Sequence, residues 1–156
     1  MLPNDFRPYQ TVYYWFRQLM RRVLFKTVHD LALMLDRMCS GREVVPTAGV
    51  VDSQSVKAPA AGDSGNDANE KIKGRKRYIA VDTDGRLLAI NLTPANMADS
   101  TGAQMVLDAL KKRWQWVKHL FGDAAYDRLT LMDEATLMDF TIEVVRKLEG
   151  QQGFAV

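Results

Sequence analysis

The chain has 156 residues, 47% of them apolar and 26% charged, with a formal net charge of +2. That length allows one domain, or one domain with a small helical lead-in, and the proportions are those of an ordinary globular protein. No apolar run reaches the ~18 residues of a membrane span, Met1 to Asp5 lacks the regions of a signal peptide, and a lone Cys39 excludes an internal disulfide or a zinc cluster, so a cytoplasmic protein is expected.

In chain order, residues 9–22 read as a helix, with Val12, Phe16, Leu19 and then Val23 at helical spacing. A second helix is predicted from about Thr27 to Cys39, with Val28, Leu31, Leu35 and Met38 on one face and Gly41 ending it. Arg17, Arg21 and Arg22 make this lead-in basic. Two arginine-bearing helices fit a DNA-binding unit, and they fit equally a helical pair that packs on the main domain with its arginines solvated. The domain division is expected at residues 1–46 and 47–156.

Ala48 to Asp52 reads as a short buried strand, with Val50 and Val51 β-branched and Asp52 where the apolar run ends. Ala58 to Asn69 is turn-rich and reads as a mobile surface loop. A basic cluster follows, Lys71, Lys73, Arg75, Lys76 and Arg77, and leads into the strand Tyr78 to Asp82. Thr83-Asp84-Gly85-Arg86 is a hairpin signal, and Leu87 to Leu92 is the returning strand. Asp82 and Asp84 are assigned to turn geometry. A helix is expected from Asp99 to about Trp114, with Met105, Val106, Ala109 and Leu110 on its apolar side. The strand Val117 to Asp123 comes next, then a helix from Leu129 to Met138 and a last strand from Thr141 to Val145. Three antiparallel strands followed by helix, strand, helix, strand make an α/β fold with a mixed sheet.

That order commonly sets the first strand beside the one ending in Asp123, which would bring Asp52 and Asp123 together. Two converging carboxylates make an oxygen-rich, negatively charged site suited to Mg²⁺ or Mn²⁺, and metal ions so held suit phosphodiester cleavage and transfer. The cluster from Lys71 to Arg77 would then hold a DNA backbone, or else keep a strand edge soluble. His29 and His119 lie within apolar patterns, and neither is expected to be a ligand.

Three segments, GVVDSQSVK (Gly49 to Lys57), KIKGRKRYIAVDTDGRLLAI (Lys71 to Ile90) and FGDAAYD (Phe121 to Asp127), resemble the landmarks of DDE transposases from bacterial insertion sequences. The likeness is to the group typified by insertion sequence five, also grouped with insertion sequence four. PYQTVYYWFRQLMRR near the start and EVVRKLEGQQGF near the end resemble the same group. The resemblance implies an RNase H-like fold, Mg²⁺ or Mn²⁺ as cofactor, DNA as partner, and strand cleavage followed by strand transfer. It assigns Asp52 and Asp123 as catalytic metal ligands and Lys71 to Arg77 as the basic stretch, with Tyr78 where a histidine is usual. It also implies a third acid, a glutamate on a helix beyond a segment like Gly153 to Val156. Neither Glu143 nor Glu149 is expected to replace it. The chain alone is therefore expected to be an inactive fragment of a transposase. The alternative is a DNA-binding or regulatory remnant that co-assembles with full-length transposase.

Overall fold

The computed structural model describes Pro3 and residues 5–58, 64–68 and 71–145. Parts of the turn-rich passage, Glu149 and the segment from Arg146 on lie outside the described residues. Two compact units divide at Val45 and Pro46.

The first unit holds α1 (Tyr9–Arg21) and α2 (Leu24–Cys39). Only Arg22 and Val23 separate them, and Val23 takes a left-handed backbone at φ 58, rare for a β-branched residue and suited to an abrupt turn. α2 stops where Gly41 adopts φ 70, a conformation open to glycine at no steric cost. No residue of α1 is buried, and in α2 only Leu33 and Arg37 are. Arg37 is held by its Nε–H, which donates to the Glu43 carbonyl at 2.8 Å.

The second unit is a six-stranded mixed sheet with its described helices on one face. Its elements are β1 (Ala48–Lys57), β2 (Gly65–Asp67), β3 (Ile72–Asp82), β4 (Leu87–Pro94), α3 (Asp99–Arg113), β5 (His119–Gly122), a 3₁₀ turn (Ala124–Tyr126), α4 (Leu129–Leu137) and β6 (Thr141–Val144). β3 pairs antiparallel with β1 on one edge and with β2 and β4 as well, while β5 and β6 run parallel to β1 in the order β1-β5-β6. The hairpin between β3 and β4 turns on Gly85 at φ 87, with the buried Asp82 accepting the N–H groups of Asp84 at 3.0 Å and Arg86 at 2.8 Å. Asp82 serves turn geometry, as expected from the sequence.

Two expectations are corrected. The first strand does not end at Asp52. β1 runs on through polar residues to Lys57, because β3 pairs with it over its whole second half. Within the turn-rich passage lies a further strand, β2, whose Asp67 is fastened by the Ser55 hydroxyl at 2.5 Å and by the Lys76 ammonium at 3.3 Å.

The core forms where α3 and α4 cover the sheet. Leu88, Leu110, Val117, Leu120 and Leu131 are fully buried there, and the Trp114 indole N–H donates to the Leu88 carbonyl at 3.0 Å. The buried side of α3 runs through Ala103, Val106, Leu107 and Leu110, and Met105 is exposed rather than inside. Gly102 sets that rotation: a Cβ there would collide with the ring of Tyr78. Gly102→Ala should therefore lower stability by about 1–3 kcal/mol by overpacking, although alanine ordinarily favours a helix interior over glycine by about 1 kcal/mol. Chemical denaturation checks the sign, and a stabilised variant would refute this account of the packing.

Candidate metal and nucleic-acid site

Side chains alternate across a strand, so the register assigns each one to a face. On β3, Gly74, Lys76, Tyr78, Ala80 and Asp82 are buried under the helices, and Lys73, Arg75, Arg77, Ile79 and Val81 take the opposite face. Asp52 lies opposite Ile79 in the β1–β3 ladder, and so belongs to that second face.

The parallel ladder between β1 and β5 pairs Ala48 with His119, Gly49 with Leu120 and Val50 with Phe121, and then stops. The same offset carried two residues further would set Asp52 level with Asp123, which follows directly on β5. Adjacent strands lie about 4.8 Å apart. Both aspartates are exposed. Asp52 Oδ1 accepts the Ser53 N–H at 2.7 Å, which orients its carboxylate.

Tyr126, three residues after Asp123, lies near enough to feel both charges. Its phenol is buried, and burial, then the charges of Asp52 and Asp123, push its pKa well above the ordinary tyrosine value. Burial first, and then the two carboxylates, favour its protonated form. The ring lies against Gly122, whose absent Cβ would stand 3.1 Å from the ring Cγ. Sequence reasoning missed Tyr126. The only signal was its place in FGDAAYD, three residues after Asp123.

The basic cluster does not act as one group. Lys73, Arg75 and Arg77 share the face of Asp52, spaced about 7 Å apart along β3. Arg77 donates to Gln54 Oε1 from its Nη2, while its Nε is shut away from solvent with no hydrogen-bond partner. Lys71 is exposed at the start of the stretch, in a left-handed conformation. Lys76 lies on the helix side. It is buried, with its ammonium 2.5 Å from Asp99 Oδ1 and 3.3 Å from Asp67 Oδ2. Tyr78, wholly buried beside it, donates to Asp99 Oδ1 at 3.3 Å. Lys76 thus serves the interior, and the sequence expectation that it faces DNA is corrected by strand alternation. Arg17, Arg21 and Arg22 are exposed in the first unit, with the Arg17 guanidinium 5.9 Å from the centre of the Tyr13 ring.

Two exposed carboxylates with hard oxygen donors fit a divalent cation such as Mg²⁺, which binds through one or two carboxylates and keeps waters and substrate phosphates in its other positions. Among the described residues no group of three His, Cys, Asp or Glu side chains gathers as a metal site. Glu143 shares the face of the aspartates but stands beside Phe121 and meets His119 Nε2 at 2.9 Å. His119 is half-buried and paired with Glu143.

No helix among the described residues is long and apolar enough to cross a membrane. No curated protein matches the chain. The family model of the transposase DDE domain matches residues 44–153, most of the chain and nearly the whole of the second unit. DNA is the substrate that such a domain acts on, and the family generally depends on divalent metal. The chain belongs to the transposase DDE domain family.

Proposed function

We propose that residues 47–156 are the RNase H-like catalytic unit of a DDE transposase of the insertion sequence five group. In this reading Asp52 and Asp123 hold Mg²⁺ or Mn²⁺ against a DNA strand. The observation that supports it is the β1–β5 register, which puts the strands leading to the exposed Asp52 and Asp123 side by side, with Lys73, Arg75 and Arg77 on the Asp52 face of β3. When bound, the ion supplies charge to a phosphodiester oxygen and lowers the pKa of its water. The chain supplies position. Ser53 N–H orients Asp52, Gly122 admits Tyr126 close behind the pair, and the basic strip holds the backbone of the strand being cut.

Two carboxylates leave much of the coordination to water and phosphate, so metal and DNA should bind cooperatively. Adding Mn²⁺ should raise the affinity for DNA of an insertion-sequence end at least tenfold, and DNA should raise Mn²⁺ affinity by the same factor, as linkage requires. Equal affinity with and without metal would sink this reading.

The strip makes a separate prediction. Lys73→Ala and Arg75→Ala should each weaken DNA binding irrespective of sequence and lower the salt slope, log affinity against log salt, by about 1. Their effect on stability should stay within about 0.5 kcal/mol. Fluorescence anisotropy over a salt series measures the slope.

A second reading has one observation in its favour. Glu143 is engaged with His119 rather than with the aspartates, and no third acid among the described residues joins them. A chain that binds DNA and joins full-length transposase without cutting fits that arrangement. Metal-dependent nicking of end DNA by this chain alone would exclude it.

A further inference from the structure

α3 closes on Lys111, Lys112 and Arg113, and a turn through Gln115 and Trp116 leads from it toward β5. Both ends of that turn are fixed. Trp114 is 2% exposed, with its indole N–H on the Leu88 carbonyl. Val117 is 1% exposed, with its backbone N–H on the Trp114 carbonyl at 3.0 Å. Trp116 stands between them at 68% exposure. It lines a hollow of about 740 Å³ together with Lys111, Lys112, Gln115 and Lys118, and among the described residues no acid lines it.

The last turn of a helix favours cations, which accounts for Lys111 and Lys112 by themselves. It does not account for an indole held out in water on a braced turn. Lys118 adds a third ammonium from beyond that turn, and its pairing with the exposed Asp139 is of the kind that contributes little and exchanges readily. We propose that the hollow is a second nucleic-acid site, where the Trp116 indole stacks on a base of an unpaired DNA strand and the three lysines hold its phosphates. Charge and shape select the occupant. Cations without acids suit a polyanion, and a flat exposed ring suits the face of a base. In a duplex those faces are already stacked on one another, so an unpaired stretch is what the ring can grip.

Because Trp114 and Val117 brace the turn, stacking costs little lost freedom. The hollow is also separate from the aspartates. Lys118 precedes β5 and Asp123 follows it, so the length of that strand, roughly 16 Å at about 3.3 Å per residue, lies between them. Lys111 and Lys112 come from α3, on the helix side of the sheet, whereas Asp52 belongs to the opposite face. A strand seated here is a different stretch of DNA from one held at the acids.

In EDTA, where no metal contributes, a labelled thymidine oligonucleotide of about 12 nucleotides should bind the full chain. Trp116→Ala should weaken that binding by about 5- to 150-fold, the range of one base–aromatic stack. Trp116→Phe should keep most of the affinity, since a phenyl ring also stacks. A duplex of the same length should lose less than about twofold in Trp116→Ala. Lys111→Ala combined with Lys112→Ala should lower the salt slope for the single strand by about 1.4. Unlabelled strand should quench the tryptophan emission of the parent chain, and Trp116→Phe should lose most of that quenching. Unweakened binding by Trp116→Ala, an equal loss for strand and duplex, or equal quenching by poly-glutamate would overturn the proposal. If Trp116→Ala fails to fold, the quenching in Trp116→Phe decides by itself.

Discussion

Asp52→Asn and Asp123→Asn should each cost the DNA-bound chain at least about tenfold in Mn²⁺ affinity, with the double variant scarcely worse than either single one. A carboxylate carries full negative charge and two acceptor oxygens to a hard cation; an amide keeps the shape and one oxygen but loses the charge. Ligands that close one site act as a unit, so the second loss finds little left to remove. Titration calorimetry with and without DNA reads the affinities. The phenol of Tyr126 gives a second readout that needs no metal. Burial raises its pKa first, and the charges of Asp52 and Asp123 add to that. Asp52→Asn should therefore bring it down, visible as tyrosinate absorbance at lower pH. Since Asn can still accept the Ser53 N–H, the stability of Asp52→Asn should stay within about 0.5 kcal/mol of the parent. Unchanged metal affinity in both variants would remove these residues from the site.

Lys76→Met should destabilise the fold by about 2–4 kcal/mol, the largest effect expected from any member of the basic cluster. Removing one partner of a buried ion pair leaves the other charged and unpaired, which costs more than the pair contributes. Asp67, 4% exposed, would lose that ammonium and keep the Ser55 hydroxyl, while Asp99 keeps some solvent and softens the loss. Burial pulls the Lys76 pKa down, yet the hydrogen bond and charge of Asp99 outweigh it, and the net direction is upward. Burial and the charge of Asp99 raise the neighbouring Tyr78 from 10.0 to about 12. Both groups have folded values above their unfolded ones, so their contribution is complete below about pH 10. It is lost as pH rises through the folded values, toward 12. Urea unfolding across pH 8–12 should show that decline, and Lys76→Met should show less of it. An unchanged urea midpoint in Lys76→Met at pH 7 would mean that the buried pair contributes nothing.

The two aspartates were legible because each ends a short apolar run, a pattern that survives without any knowledge of partners. The adjacency of their two strands followed from element order, since a strand fed by a crossover helix commonly returns beside the first one. Lys76 was not legible as an interior residue. Seven residues with five charges read as one basic block, and the acids that draw Lys76 inward, Asp67 and Asp99, come from a three-residue strand and a helix start elsewhere in the chain. β1 was read short for a related reason: Ser53 to Lys57 are polar, and what makes them a strand is the ladder to β3 rather than their own hydrophobicity.

The central strand outruns its parallel neighbour. Residues 51–57 continue past the last β1–β5 pair, bonded to β3 on one side, and among the described residues no strand takes up the other side. At about 3.3 Å per residue this leaves an overhang of roughly 20 Å, anchored at the root where Asp52 stands, with Arg77 and Arg75 of β3 paired alongside it at Gln54 and Val56. On the proposed reading, the bend of that cantilever sets how far a gripped phosphate lies from the acids. Substitutions near its tip would then shift the position of a cut along DNA while leaving the chemistry at the root intact.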